Sequence, residues 1–159
     1  MSIALYIGRF QPLHLGHLEY IKKILSENDR IIIVIGSSQE KKTSKNPFTV
    51  KERKEMLKVC LREEKIPSDK VRIISARDYP GENKKWLESI KRKAGKFDVF
   101  YAGENRLTAR IFRENYFNIR TIQRINDISS TNVRELMREG KDWRRLVPES
   151  VYDYLMHLV

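Results

Sequence analysis

Residues 3–36 read IALYIGRFQPLHLGHLEYIKKILSENDRIIIVIG, and the order of patterns in this stretch decides the fold. Ile3 to Gly8 is a short apolar run closed by glycine. From about Gly16 to Glu27 the period changes, and Leu18, Ile21, Ile24 and Leu25 recur along one helical face. Ile31–Ile32–Ile33–Val34–Ile35 then runs without a polar interruption between Asp29–Arg30 and Gly36. A strand with one wet face alternates; an unbroken run of branched side chains is covered on both faces, as in a parallel sheet. Strand, helix and strand over this length form a right-handed crossover unit.

The pattern repeats downstream. After the polar loop 37–46, Pro47–Phe48–Thr49 leads into a helix over Val50 to Glu63, with Thr49 and Glu52 spaced as a capping box and Met56, Leu57, Cys60 and Leu61 inward. Val71 to Ile74 reads as a third strand, Lys84 to Lys93 as a helix and Phe97 to Tyr101 as a fourth strand. Asn105 to Asn115 reads as a helix with Leu107, Ile111 and Phe112 inward, and Ile119 to Ile122 as a fifth strand. Two short helices close the chain: Asn132 to Glu139, stopped by Gly140, and Glu149 to His157, opened by Pro148. The expected fold is α/β: a Rossmann-like, doubly wound, parallel five-stranded sheet in the order 3-2-1-4-5, with a small C-terminal helical tail. One domain is expected over 1–159, with residues 1–125 as its core and 126–159 as the tail.

Composition narrows the function. The chain has 159 residues, 40% hydrophobic and 33% charged, which excludes a disordered tail. A single cysteine excludes an intramolecular disulfide framework and a four-cysteine zinc site. No apolar run approaches the roughly 20 residues that span a bilayer, so no membrane partner is expected. The amino terminus has no basic region ahead of its apolar run; it reads as an opening strand and not a secretory signal, which implies a cytoplasmic protein. Lys plus Arg number 32 against 21 Asp plus Glu, a net charge of +11 that attracts anions. Acidic residues are interspersed, and zinc-finger, heptad and aromatic RNA-binding patterns are missing, so a dedicated nucleic-acid partner is not expected.

In a doubly wound sheet the ligand sits at the carboxyl ends of the strands where their order reverses, which selects the loop from Gly8 to His17. His14 and His17 stand three apart, with Gly16 immediately before the second. His17 falls in the first helical turn, where unpaired amides and the helix dipole favour a phosphate; Gly16 lets the backbone approach an anion, and Arg9 offers a permanent cationic fork. The spacing is neither GxGxxG nor GxxxxGK[ST]. Two histidines at this spacing also suit a metal pair or a structural role, but no cysteine or HExxH partner supports zinc. Near the other end, Thr131 opens a helix and can hold a phosphate oxygen through its N–H and hydroxyl, with Arg134 one turn further in; the plain alternative is a capped helix with a solvated arginine.

The segment GRFQPLHLGH resembles the HxGH signature of the nucleotidylyltransferase superfamily, and in its longer form the archaeal-type nicotinamide mononucleotide (NMN) adenylyltransferases. IGSSQ (35–39), NPFT (46–49), Glu52–Arg53, Asn83 with Trp86, FDVFYAG (97–103), ISSTNVR (128–134) and Leu146–Val147–Pro148–Glu149 extend the resemblance over nearly the full length. Lys42 stands where that family tends to carry histidine, and its glycine–asparagine element is spread over Gly103–Glu104–Asn105. The resemblance implies adenylyl transfer from ATP to NMN. Gly8, Arg9, Phe10, His14, Gly16, His17, Gly103, Ser129, Ser130, Thr131 and Arg134 would bind ATP, with His14, His17 and Arg134 catalytic and the tail completing the site. Asn83, Trp86, Arg53 and Lys42 would serve the acceptor; the alternatives are that Trp86 packs on the sheet and that Arg53 braces the site. Mg²⁺ would ride on the phosphates without dedicated protein ligands, and a homo-oligomer, often a hexamer, is implied. Transfer of AMP or CMP to pantetheine phosphate, flavin mononucleotide or glycerol phosphate stays open within the superfamily, as does a non-catalytic nucleotide or RNA binder outside it.

Overall fold

The computed structural model describes residues 1–103, 105–123 and 126–158. Glu104, inside the spread glycine–asparagine element, and residue 125, where core was expected to give way to tail, lie outside the described residues. Five strands form one sheet: β1 (Ile3–Gly8), β2 (Arg30–Ile35), β3 (Val71–Ser75), β4 (Val99–Ala102) and β5 (Ile119–Thr121). Their order is β3-β2-β1-β4-β5, and every neighbouring pair is parallel. The helices are α1 (Leu15–Glu27), α2 (Val50–Glu63), α3 (Asn83–Ala94), α4 (Arg106–Glu114), α5 (Ser130–Arg138) and α6 (Glu149–Met156). Short 3₁₀ turns at Ser68–Lys70 and Arg144–Leu146, which the sequence pattern did not signal, fill two connections.

The unbroken run of β2 is explained by where its side chains go. Ile31, Ile33 and Ile35 enter one core, which α1, α2 and the tail cover; Ile32 and Val34 enter the other, under α3 and α4. Ala4 and Tyr6 of β1 share the first core and Leu5 the second, so the sheet is sealed on both sides. Val133, Val147, Val151 and Leu155 of the tail pack into the first core. The chain reverses its winding direction at β1, which sits between β2 and β4 at the centre of the sheet. The carboxyl end of β1 is therefore the switch point, and loops from both halves of the sheet open around it.

Two expectations need correction. Helix α5 begins at Ser130, not Asn132, because the Ser129 hydroxyl accepts the Asn132 N–H and is the cap; Thr131 lies inside the first turn. Leu107 is 46% exposed and not in the core, because α4 turns that position toward the cavity at the strand ends. Ile111 and Phe112 carry the buried face of α4.

Phe112 is fully buried, stacks on Phe100 at 3.9 Å and meets Trp86 edge-on at 6.0 Å. Phe112→Ala removes the ring on which α3, α4 and the sheet converge. Urea denaturation is expected to show a loss of about 3–5 kcal/mol.

Candidate active site

A cavity of about 590 Å³ opens over the carboxyl ends of β1, β2 and β4 and is walled by the starts of α1, α3, α4 and α5. Its floor is the β1–α1 loop. Phe10 takes a left-handed backbone (φ 53°), which turns its ring down beneath His17, with centroids 4.7 Å apart. A methyl on Gly8 would stand 2.9 Å from the Phe10 ring, so glycine is required there by packing. Phe10, one of the expected nucleotide contacts, is 1% exposed and serves as the base of the site.

His14 and His17 cap the helix for one another. Nδ1 of His14 accepts the N–H groups of Gly16 (3.0 Å) and His17 (3.3 Å), while Nδ1 of His17 accepts the N–H of His14 (3.1 Å). Because each Nδ1 is an acceptor, each neutral ring carries its proton on Nε2. The rings stack with centroids 3.8 Å apart and both line the cavity. This changes the expected chemistry: the Gly16 and His17 amides are occupied by an imidazole, so the donor that His17 turns to the cavity is its ring Nε2–H. Gly16 also has a different purpose from the one expected, since a methyl there would stand 2.7 Å from Cε1 of His14. The glycine makes room for the capping ring. Burial, and next the neighbouring His14, hold the pKa of His17 well below the ordinary 6.5.

Arg53 lies behind the cavity and not in it. Its side chain is completely buried. Nη1 donates to the carbonyls of Arg9 (3.0 Å) and Gly36 (2.8 Å), Nη2 to those of Ser37 (3.1 Å) and Glu40 (3.4 Å), and Nε to that of Thr49 (3.2 Å). A guanidinium committed in this way braces the loops of the site, one of the two roles the sequence left open. Burial, then the Arg9 charge, hold its pKa down to about 10. Lys42 is also corrected: it is exposed on the 37–46 loop and does not line the cavity. Gln11, to which no role was assigned, exchanges two hydrogen bonds with the Phe48 backbone and ties the same loops together.

The tail closes the far wall. The Ser130 hydroxyl donates to the Pro12 carbonyl (3.0 Å). Arg134 Nη1 donates to the Gln11 carbonyl (2.8 Å) and Nη2 to the Thr131 hydroxyl (3.3 Å). Its Nε is buried without a hydrogen-bond partner, on a side chain 9% exposed at the edge of the cavity. Burial, then Arg9 and Arg138, lower its pKa. Arg9 itself is exposed at the rim, so two arginines and two imidazoles surround one space. Gly8, Gly103, Ser129 and Thr131 line the cavity as expected residues. Asn105, Leu107 and Thr108 from the start of α4, and Asp78 after β3, line it without having been anticipated.

On the acceptor side, Asn83 opens α3 at the cavity wall, and Trp86 both packs in the second core and contributes to the lining. Cys60 is buried on α2, and burial pushes its thiol up to about 12, which removes it as a nucleophile. Among the described residues no group of three or more His, Cys, Asp and Glu could hold a metal ion. Nor is any described helix long and apolar enough to cross a membrane.

Cationic and neutral N–H donors converge on the carboxyl end of a central parallel strand, beneath a cavity large enough for a nucleotide. That arrangement defines an α/β nucleotide-binding protein of the HxGH type. A family model described as Cytidylyltransferase-like matches residues 5–136, and the chain belongs to that family. A Thermoplasma volcanium protein named nicotinamide-nucleotide adenylyltransferase is 40% identical over 157 residues, which are 98% of this chain and 86% of its own length. One of the same name from Saccharolobus solfataricus is 39% identical over 160 residues, or 99% of this chain and 92% of its own. A crystal structure of a bifunctional NMN adenylyltransferase/ADP-ribose pyrophosphatase from Francisella tularensis, complexed with AMP and a manganese ion, superposes with a TM-score of 0.81 at 28% identity. It covers 92% of this chain, and this chain spans 44% of it.

The lowered pKa of His17 gives stability a defined pH dependence. Unfolded His17 titrates near 6.5 and the folded ring below it, so between those values the unfolded chain binds more protons. The stabilisation is complete above 6.5 and is lost as pH falls toward the folded value. Urea midpoints should drop from pH 7 to pH 5 in the native chain and drop less in His17→Asn. Arg53→Met orphans the carbonyls that the guanidinium holds and is expected to cost about 3 kcal/mol in the same assay, with Arg53→Lys in between.

Proposed function

We propose that this chain transfers the adenylyl group of ATP to nicotinamide mononucleotide, forming NAD and diphosphate. The observation that carries the reading is the His14–His17 pair, stacked on the cavity wall with each Nδ1 accepting backbone N–H groups so that the His17 ring donates from Nε2, beside an Arg134 whose Nε is buried without a partner. Such donors suit a polyphosphate and have no use in a dry core. The near-full-length match to proteins named for this activity supports the same conclusion.

The acceptor's phosphate oxygen attacks the α-phosphorus of ATP in line. A new P–O bond forms as the bond from the α-phosphorus to the bridging oxygen breaks, and diphosphate leaves with that electron pair. The attacking oxygen is already anionic at neutral pH, so no strong protein base and no covalent intermediate are needed. The protein's contribution is orientation and stabilisation of negative charge as it moves to the equatorial and bridging oxygens. His17 and His14 donate from Nε2 to oxygens of the α- and β/γ-phosphates. A neutral His17 does this without the repulsion that two stacked imidazolium ions would suffer. Arg134 and Thr131 hold the outer phosphates and Arg9 holds them from the rim, while Arg53 keeps the Arg9 backbone in place from below. Asn83 and Trp86 receive the acceptor's flat base.

The described residues form no carboxylate cage. Mg²⁺ would therefore enter with the nucleotide, held by phosphate oxygens and water, and would neutralise part of their charge. We further propose one domain over the whole chain, a homo-oligomeric assembly and a cytoplasmic site of action.

The test is diphosphate release and dinucleotide formation with ATP or CTP against NMN, pantetheine phosphate, flavin mononucleotide and glycerol phosphate. ATP with NMN is expected to give the highest kcat/KM. His17→Asn retains an acceptor for the His14 N–H and loses the aimed Nε2 donor; kcat should fall by about 10²–10³ with the fold intact. Arg134→Lys should raise the KM for ATP through loss of the planar fork. Absence of turnover in the native chain, with nucleotide binding unchanged in both variants, would overturn the reading.

A further inference from the structure

A cavity built for two phosphorylated substrates has one carboxylate on its wall among the described residues, and the transfer chemistry does not use it. Asp78 follows β3, two strands away from β1, so it lies roughly 10 Å across the sheet from the histidine loop. It belongs to the stretch that leads through Tyr79 to Asn83 and Trp86 on the acceptor side. The carboxylate is held at two points. Gln39 Nε2 donates to Oδ2 at 2.9 Å, and the Asp78 N–H donates to Gln39 Oε1 at 3.1 Å. The arrangement bridges the loop after β2 to the loop after β3 and occupies one carboxylate oxygen. Oδ1 has no hydrogen-bond partner among the described residues, and no lysine or arginine pairs with Asp78 there. The nearby Arg53 cannot serve, since its nitrogens are committed to backbone carbonyls.

We propose that Asp78, fixed by Gln39, is a specificity-determining residue that selects an acceptor bearing an uncharged carboxamide over one bearing the corresponding carboxylate. The inference rests on the acceptor being a pyridine mononucleotide. A carboxylate among the phosphates would weaken both substrates; set apart from them, it acts on the end of the acceptor that carries no phosphate. An amide N–H donates to Oδ1 in a charge-assisted hydrogen bond. A carboxylic acid at the same place is an anion at neutral pH: it repels Asp78, offers no proton and leaves Oδ1 desolvated and unpaired. The discrimination thus has an attractive and a repulsive component in one residue, and a site organised around a donated hydrogen bond rejects the analogue that lacks it more strongly than a site that only measures shape.

The test compares kcat/KM for NMN and for nicotinate mononucleotide in the native chain, Asp78→Asn and Gln39→Leu, with melting temperatures alongside. The native chain should prefer the amide. Asp78→Asn keeps the shape and removes the charge, and should lower the amide-to-acid ratio by about tenfold or more, chiefly by raising turnover of the acid. Gln39→Leu frees the carboxylate from its clamp and should lower the ratio by less. An unchanged ratio in Asp78→Asn overturns the proposal. So does an equal loss on both acceptors, which would put the carboxylate on the ribose or another part they share. Those outcomes leave adenylyl transfer standing; a native chain that transfers to neither acceptor would remove both readings together.

Discussion

A buried guanidinium holds the two loops that carry the site. Arg53 projects from α2 into a space without solvent, and its charge is stabilised there by carbonyl dipoles from the ends of β1 and β2 and from the start of its own helix. Loops at the carboxyl edge of a sheet have no ladder partners, so their carbonyls need donors from elsewhere. One cation satisfies several at once. Gln11 does the same on a smaller scale against Phe48, and Ser130 and Arg134 draw the tail onto Pro12 and Gln11. Much of the wall is cross-linked in this way, by side chains that reach the backbone of a neighbouring loop.

The electrostatics follow from that construction. Arg53 below, Arg134 at the side and Arg9 at the rim lie close enough for the Arg9 charge to depress the pKa of both others. In the absence of an anion this is a repulsive arrangement that packing must hold together. It is relieved when negative charge arrives, which places the driving force for phosphate binding in the folded state before any ligand is present. His17 is the exception: its lowered pKa keeps the ring neutral, so it adds a donor without adding to the repulsion.

The fold was legible where each residue's burial has a periodic signature. The continuous Ile31–Ile35 run announced a strand covered on both faces, and Thr49 with Glu52 marked the start of α2 because a capping box is local chemistry. The loop from Gly8 to His17 could be assigned by its place in the pattern. What the sequence hid depends on neighbours distant in the chain. Arg53, beside an apolar stripe, suits either reaching into the site or bracing it until the carbonyls of Arg9 and Gly36 are seen to meet it. Helix α5 starts earlier than the sequence pattern indicates because Ser129, Ser130 and Thr131 are all competent caps and only geometry selects Ser129. Leu107 fits the inward spacing of α4, yet the cavity and not the core lies opposite it. Asp78 carries no motif at all; it becomes conspicuous only when the charges around it are known.

The reciprocal cap at the start of α1 closes off a route that is open to most proteins. A helix is commonly strengthened by placing aspartate, serine or threonine at its cap. At position 14 any of these would satisfy the Gly16 and His17 amides as well as the imidazole does, and would remove a ring facing the cavity. One residue therefore serves both as the helix cap and as part of the cavity wall, and a standard cap at position 14 would keep the first role and lose the second.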